Sequence, residues 1–302
     1  MSSKTDFSGM QKLKVEEIEK ILQQYLPKQQ GYQKLIMEVM TYSLLAGGKR
    51  LRPMLMQETY RLFDGDSKAI HPFMAAIEMI HTYSLVHDDL PTMDNDEYRR
   101  GKKTTWKVYG EDMAILAGDG LLNFAYETAA KALETAKNED ELRRAAKALK
   151  ILASKPGAYG MLGGQVVDVL ESGHAVSKET LDFIYEMKTS ALIECAMMIG
   201  AVLAGADESS VDDMEKIAKY TGIAFQIQDD ILDVTSSLEV LGKQTHSDEK
   251  NDKTTYVTLF GIDGAKAYVQ KLTDAALELL RAQEGESEFL EALLLWLIHR
   301  EK

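Results

Sequence analysis

The sequence has few of the residues that stop a helix or cross-link a chain. Its 302 residues include only 5 prolines, about a third of the usual share, and a single cysteine, Cys195. One cysteine excludes an internal disulfide framework and suits a reducing compartment. Scarce proline, in a chain rich in alanine, leucine, glutamate and lysine, favours a protein that is mostly helical.

Basic residues and long apolar runs are also scarce. There are 35 lysines and arginines against 48 aspartates and glutamates, and the net charge of −13 disfavours binding to nucleic acids or anionic membranes. The longest apolar run, 292–298, is far shorter than the roughly 18 residues of a membrane-spanning helix. The first residues are polar and charged, unlike a secretory signal. We therefore expect a cytoplasmic protein without a membrane span or a nucleic-acid partner.

Helical periodicity is present along most of the chain. Apolar residues recur every three or four positions, as at Val15, Ile18, Leu22 and Leu26. Short breaks rich in glycine, aspartate and serine separate these stretches, and no alternating pattern typical of strands is present. No linker or repeat divides the sequence. It therefore predicts an all-α protein of roughly ten or more helices, folded as a single domain over residues 1–302.

A first cluster of aspartates closes the helix predicted near 69–88. The cluster runs from Asp88 to Glu97 and includes Asp89 and Asp94, and Pro91 makes continuation of the helix unfavourable. His81 and Asp88 lie on one face of this helix. The cluster alone also fits a solvated helix end.

A second cluster, Asp229-Asp230-Ile231-Leu232-Asp233, ends another long apolar helix. Asp229 and Asp233 are one helical turn apart, and Gln226 lies on the same side. We expect the three carboxylates to converge on one face, where they would repel one another without a cation. Mg²⁺ suits such oxygens, because it takes one or two protein carboxylates and leaves its other positions for water and phosphate. Two such clusters together indicate a metal–phosphate site.

A basic cluster, Gly47-Gly48-Lys49-Arg50-Leu51-Arg52-Pro53, is suited to an anion. Glycines let backbone amides approach the anion, and the lysine and arginines neutralise its charge. The strand and spacing of a nucleotide P-loop are missing, so ATP binding is disfavoured. A surface patch or a simple helix start remains an alternative.

Lys188 interrupts an otherwise apolar helical stripe, which predicts that it faces the interior and needs a partner or a ligand. A snorkelling or salt-bridged lysine is the alternative. The other members of the stripe are Leu181, Ile184, Leu192, Cys195 and Ile199.

Together these motifs resemble the short-chain trans-prenyl diphosphate synthases, most closely the bacterial type of farnesyl diphosphate synthase. The resemblance runs from about residue 40 to the C-terminus and implies the isoprenoid synthase fold, a single large helix bundle around a deep central cavity. It also implies a homodimer. It rests on GGKRLRP at 47–53, IHTYSLVHDDLPTMDNDEYRRGK at 80–102, ILAGD at 115–119, GGQVVDV at 163–169, MKTSALI at 187–193 and FQIQDDILDV at 225–234.

The resemblance implies a role for each matching residue. Three Mg²⁺ ions, for which Mn²⁺ can substitute, would be held by Asp88, Asp94 and Asp229. Their supporting carboxylates would be Asp89, Asp230 and Asp233. The allylic diphosphate would be bound by Arg99, Lys188, Lys243 and Lys253, and the metal-free isopentenyl diphosphate by Lys49, Arg52, His81 and Arg100. Catalytic polar atoms would come from Lys188, Thr189 and Gln226.

The implied reaction joins isopentenyl diphosphate to dimethylallyl or geranyl diphosphate and gives (2E,6E)-farnesyl diphosphate and diphosphate. In the resembling family an aromatic residue at Tyr83, next to the small Ser84, goes with stopping at 15 carbons. A geranylgeranyl diphosphate synthase and a non-catalytic subunit of the same fold are the alternatives. A terpene cyclase fits less well, because it needs no second, metal-free diphosphate site. A diphosphate hydrolase of the HD type, suggested by His87-Asp88, would need further histidine ligands that the 6 histidines of the chain can hardly supply.

Overall fold

The structure, a computed structural model, describes residues 2–235 and 254–298. In this part of the chain the predicted all-α class is confirmed, with one small exception. Two short strands, β1 (Tyr98–Arg99) and β2 (Lys102–Lys103), pair in antiparallel register, Tyr98 opposite Lys103. The helices are α1 (Ser2–Gln24), α2 (Lys34–Leu44), α3 (Leu51–Leu62), α4 (His71–Asp88), α5 (Thr105–Tyr109), α6 (Glu111–Glu134), α7 (Glu139–Ser154), α8 (Met161–Leu170), α9 (Lys178–Ile184), α10 (Ala191–Ala204), α11 (Glu208–Thr235), α12 (Tyr256–Arg281) and α13 (Glu288–Ile298).

The chain divides into two compact units. The first unit lies within residues 1–57 and 66–150, and the second within 58–65 and 151–302. The expectation of a single domain around a central cavity stays a prediction.

In the first unit, α4 is the core helix that carries the first aspartate cluster. Pro72 stands in its first turn, where the missing amide costs nothing, and the residues from 72 to 80 are all buried. The helix ends at Asp88, as predicted, ahead of Pro91. It packs along α6, where Gly118 leaves room for the ring of His87. This packing fixes the end of α4 and therefore the start of the aspartate cluster.

In the second unit, α9 and α10 form one helical stretch over residues 178–204. Ser177 caps its start by accepting a hydrogen bond from the amide of Thr180 at 3.2 Å, and Gly205, with a φ of 96°, ends it. By length and composition alone this stretch could cross a membrane, but 72% of its most apolar window is buried in the protein, as in a core helix. The stretch supports α11, which packs on both α10 and α12.

A π-helical turn, Tyr185–Ser190, lies between α9 and α10 and was not predicted. Such turns insert an extra residue into a helix and are frequent at functional sites. This one contains both Lys188 and Thr189. Sequence periodicity predicts an unbroken α-helix here, because one inserted residue barely alters the apolar stripe on either side.

The periodicity also misses α8 and the β1–β2 pair. The α8 sequence, MLGGQVVDVL, contains two glycines and leaves several apolar side chains exposed, so it shows no clean amphipathic pattern. The two helices predicted near 254–260 and 263–282 both lie within α12, and the break predicted between them is confirmed. The backbone of Gly261 is not helical, with a φ of 70° and a ψ of 169°.

A close approach at Gly164 links α8 to the π-helical turn. A Cβ atom at this position would lie 2.7 Å from the Cβ of Met187 and would also meet the backbone nitrogen of Lys188. Gly164→Ala should therefore lower the free energy of unfolding by about 1–3 kcal/mol through overpacking. Denaturant unfolding measures this change.

Gly9 provides the matched control, because it lies in α1 and a Cβ atom there would meet no other atom within 4 Å. Gly9→Ala should raise stability by up to about 1 kcal/mol, since alanine favours a helix. Equal effects of the two substitutions would contradict the close packing of α8 on the turn.

Candidate active site

The basic loop between α2 and α3 is shaped around Arg100. Gly47 and Gly48 have φ values of 92° and 134°, which favour glycine. A Cβ atom on Gly48 would lie 2.6 Å from the guanidinium carbon of Arg100, and Arg100 donates a hydrogen bond to the carbonyl oxygen of Gly47. The two glycines therefore let this arginine, 53 residues later in the chain, lie directly against the loop.

Arg52, in the first turn of α3, lacks a counter-ion that its burial demands. Among the described residues its Nε atom is buried without a hydrogen-bond partner. Burial lowers the pKa of Arg52 to about 10, and the nearby Arg100 adds to this effect while Glu78 opposes it. A buried guanidinium beside a second one is costly unless an anion arrives.

His81, on α4, faces the same cluster of positive charge. Burial, followed by the charges of Arg52 and Arg100, holds the pKa of His81 well below its usual range. The structure therefore brings together three of the four residues predicted to bind isopentenyl diphosphate. The fourth, Lys49, is exposed on the same loop. This group is the cationic cluster: Lys49, Arg52, His81 and Arg100.

The first aspartate cluster separates into two kinds of side chain. Asp89 is buried and accepts a hydrogen bond from Nε of Arg99 at 2.7 Å. Asp88 is half-buried and Asp94 is exposed, and the turn that joins them is closed by a hydrogen bond from the Asp94 amide to the Asp88 carbonyl oxygen at 2.8 Å. Asp89 thus supports Arg99, while the turn places Asp88 and Asp94 at one end of α4.

In the second unit, Lys188 and Thr189 each have a partner. Lys188 pairs with Asp168 of α8, and its side chain is 33% exposed. Lys188 is therefore only partly buried, and Asp168 is the partner that the sequence analysis called for, as in the salt-bridged alternative. Thr189 donates a hydrogen bond to the side-chain oxygen of Gln226 at 3.0 Å, so the predicted pair of polar residues does meet.

The second aspartate cluster is also divided, and the expected convergence of three carboxylates is wrong. Asp230 is buried and its carboxylate faces the π-helical turn and the start of α12. It accepts hydrogen bonds from the hydroxyl of Tyr185 at 2.6 Å and from the amide of Tyr256 at 3.2 Å. Asp229 is half-buried and Asp233 is buried. Asp230 therefore anchors the start of α12, and Asp229 and Asp233 are the carboxylates that remain as candidate metal ligands.

The aspartates of the two clusters could supply some, but not all, of the ligands of a divalent metal. Within the described ranges, no three acidic, histidine or cysteine side chains are grouped closely enough to hold a metal by themselves. Each unit instead presents hard oxygen donors, Asp88 with Asp94 and Asp229 with Asp233, beside a cationic side chain. This composition suits Mg²⁺, which keeps several positions for water and phosphate. The predicted ligands Lys243 and Lys253 lie outside the described residues.

Tyr83 and Ser84 lie one turn before Asp88. The ring of Tyr83 is half-buried and meets the His87 ring edge-on, with centroids 5.9 Å apart. Burial, then Tyr126 of α6 and Asp88, raises the pKa of Tyr83 to about 12, so it is a neutral phenol. Ser84 donates its hydroxyl to the carbonyl oxygen of His81 at 3.0 Å.

Comparison with known proteins agrees with this arrangement. Residues 33–293 match the polyprenyl synthetase family. The chain belongs to that family. A chloroplastic geranylgeranyl pyrophosphate synthase from Catharanthus roseus is 47% identical over 252 residues, which cover 83% of this chain and 70% of that protein. A farnesyl diphosphate synthase from Geobacillus stearothermophilus is 41% identical over 266 residues, 87% of this chain and 88% of that protein.

Solved structures of similar proteins have the same fold. An FPP/GFPP synthase from Zymomonas mobilis superposes with a TM-score of 0.85 at 29% identity, covering 97% of this chain and 99% of the other. A geranyltransferase from Legionella pneumophila also gives a TM-score of 0.85, at 28% identity with 99% of both chains covered. The resemblance to the prenyl diphosphate synthases and the isoprenoid synthase fold are thereby confirmed for this polyprenyl synthetase.

Sequence reasoning missed three residues that pair with residues of the predicted motifs. Glu78 pairs with Arg50, Asp168 pairs with Lys188, and Tyr185 donates a hydrogen bond to Asp230. Arg50 itself was expected to neutralise an anion, and the structure instead bonds it to Glu19 and Glu78. Asp168 falls in the segment GGQVVDV, so this motif could have indicated it as a site residue. Glu78 could also have been recognised, because it is the only acidic residue in the apolar run 72–80 of α4.

The position of His81 predicts that an anion binds with uptake of a proton. A diphosphate among the arginines would offset the charges that depress the pKa of His81, so the pKa is higher in the bound state. Affinity should therefore rise as the pH falls through the bound-state pKa, and the gain should be complete below the free-state pKa.

Calorimetric titration with inorganic diphosphate at pH 6, in chelator and in two buffers of different ionisation enthalpy, measures this proton uptake. The ligand's own titration contributes equally to wild type and to His81→Gln, so the comparison isolates the imidazole. Wild type should take up more protons than His81→Gln. Equal uptake by both proteins would exclude the histidine from the anion site.

Proposed function

We propose that this polyprenyl synthetase is a Mg²⁺-dependent prenyltransferase that condenses isopentenyl diphosphate with dimethylallyl or geranyl diphosphate, with farnesyl diphosphate as its main product. The observation that carries the proposal is the grouping of Arg52, Arg100 and His81. The charges of the two arginines lower the pKa of His81, and the charge of Arg100 lowers the pKa of Arg52. A cationic cluster without its own metal-binding carboxylates is suited to a second diphosphate. A terpene cyclase needs only one.

The other site residues would act on the allylic substrate, whose diphosphate departs and leaves an allylic cation. Bound Mg²⁺ at Asp88, Asp94 and Asp229 would neutralise the charge that develops on the departing allylic diphosphate. Lys188, half-exposed beside Asp168, is placed to pair with the same diphosphate. Thr189 and Gln226, linked to each other, present oxygens that stabilise the allylic cation.

The bond-forming step then needs only the second substrate. The double bond of isopentenyl diphosphate attacks the allylic cation, a new carbon–carbon bond forms, and a proton is lost to the released diphosphate. Lys49, Arg52, His81 and Arg100 hold the isopentenyl diphosphate so that its double bond faces the cation. We include in the proposal an active homodimer in the cytoplasm, which the family resemblance and the single cysteine support.

Geranylgeranyl diphosphate synthesis is the second candidate for the product. The relatives include geranylgeranyl pyrophosphate synthases at 46–47% identity as well as a farnesyl diphosphate synthase at 41%. The half-buried ring of Tyr83, one turn before Asp88, favours the 15-carbon product. If Asp88 marks the reacting end of the substrate, this ring would form a floor that limits the space for the growing tail.

Incubation with labelled isopentenyl diphosphate and each allylic diphosphate, followed by chromatography of the dephosphorylated products, tests the proposal. We expect a 15-carbon product that disappears in chelator and returns with Mg²⁺. A single diphosphate substrate converted to a cyclic hydrocarbon, or no condensation at all, would contradict it.

Chain length gives a sharper prediction. Tyr83→Ala should remove the ring and shift the product toward 20 carbons, at a cost in stability from the cavity. Tyr83→Phe keeps the ring, so it serves as the matched control and should leave the product at 15 carbons. A folded Tyr83→Ala protein that still stops at 15 carbons would remove Tyr83 from this role.

A further inference from the structure

Glu78 is a buried carboxylate in the most apolar part of α4. Its side chain is 2% exposed, and one oxygen, Oε1, accepts a hydrogen bond from Arg50 at 2.7 Å. The other oxygen, Oε2, is buried and has no hydrogen-bond partner among the described residues. An unsatisfied carboxylate oxygen in such a position is costly, so a donor must be close at hand.

Arg50 makes three hydrogen bonds, and none of them reaches Oε2 of Glu78. Besides Oε1 of Glu78, it donates to Glu19 of α1 at 2.7 Å and to the carbonyl oxygen of Leu44 at 2.8 Å. These bonds tie the basic loop to three helices and explain why this arginine is fully buried. Arg50 therefore shapes the loop, while Nε of the neighbouring Arg52 has no partner among the described residues.

Arg52 provides the complementary donor. Its Nε–H is buried and unpartnered in the described part of the chain, as is Oε2 of Glu78. Glu78 is also the charge that most strongly favours the protonated form of both Arg52 and Arg100. The two atoms are therefore in the same charged neighbourhood, one a donor and the other an acceptor.

We propose that Glu78 is a positioning residue for the isopentenyl diphosphate site, holding Arg50 with one carboxylate oxygen and, through one buried water, the Nε–H of Arg52 with the other. The side of the Arg52 guanidinium that Glu78 engages is then fixed, and its two terminal nitrogens are left to bind the diphosphate as a fork. The inference rests on the proposed function, because it assigns Arg52 to the second substrate.

Two physical effects make opposite predictions for Glu78→Gln. If Glu78 acted only through its charge, its loss would make the cluster more positive and strengthen diphosphate binding. If it positions Arg52, an amide in its place would turn an N–H donor toward one of the arginines and weaken binding. We expect the second result, with the Kd of isopentenyl diphosphate rising about tenfold or more, as for loss of one charged contact.

The experiment is calorimetric titration of the full-length protein with isopentenyl diphosphate in chelator, together with steady-state kinetics in Mg²⁺. Glu78→Gln should raise the Kd and the KM for isopentenyl diphosphate and leave the KM for geranyl diphosphate unchanged. Glu78→Asp keeps the charge but is one methylene shorter and cannot hold both arginines, so it should weaken binding too. This second variant decides the matter if Glu78→Gln does not fold.

A double-mutant cycle separates positioning from a general structural role. Arg52→Lys keeps the positive charge but has no Nε–H donor, so in that background Glu78→Gln should change the Kd by less than about threefold. Glu194→Gln is the matched control. Glu194 is also buried, with one oxygen paired to Lys155 and the other unpartnered within the described ranges, but it lies on α10 of the second unit. This control should leave the Kd unchanged.

The outcomes are distinguishable. Tighter or unchanged binding by Glu78→Gln and Glu78→Asp, or the same weakening with and without the Arg52 guanidinium, would overturn the positioning role. A wild-type protein that neither binds nor condenses isopentenyl diphosphate would instead overturn the proposed function on which the inference rests.

Discussion

The site depends on a concentration of positive charge that the protein does not neutralise by itself. Arg52 and Arg100 lie beside His81, and burial disfavours the charged form of each. Glu78, the carboxylate whose charge most favours the protonated forms of Arg52 and Arg100, binds Arg50. Like charges grouped in a partly buried position destabilise a fold, so the cluster indicates a site suited to an anion. The glycines at 47 and 48 let Arg100 lie against the basic loop, and α4 carries His81 and Glu78.

The second unit differs from the first because the charged residues of its motifs have partners within the unit. Lys188 pairs with Asp168, and Asp230 accepts hydrogen bonds from Tyr185 and from the amide of Tyr256. The π-helical turn places Lys188 and Thr189 beside α8 and α11. A diphosphate and a carboxylate are both negative, so a diphosphate that binds beside the aspartates needs a metal cation between them. A diphosphate that binds to the cationic cluster needs no metal. The two kinds of anion site therefore differ in chemistry, which suits two substrates with different fates.

Much of this arrangement could be predicted from the sequence, and the failures share one cause. The end of α4 at Asp88 follows from the apolar run and Pro91. A shared role for Thr189 and Gln226 followed from the family resemblance, and their hydrogen bond is an observation of the structure. The positions of Asp89 and Asp230 do not follow from the sequence, because their partners Arg99, Tyr185 and Tyr256 are set by tertiary packing. The π-helical turn and the role of Glu78 were missed for the same reason. The role of one inserted residue, or of one acidic residue in an apolar helix, depends on which residues contact it in the folded protein.

The metal dependence of binding tests the central claim most directly. Equilibrium binding of isopentenyl diphosphate and of geranyl diphosphate can be measured separately in chelator and in Mg²⁺. If the cationic cluster forms a metal-free diphosphate site, isopentenyl diphosphate should bind in chelator with nearly the affinity that it has in Mg²⁺. Geranyl diphosphate should lose its affinity by orders of magnitude when the metal is removed. An equal requirement for Mg²⁺ by both ligands would contradict the account.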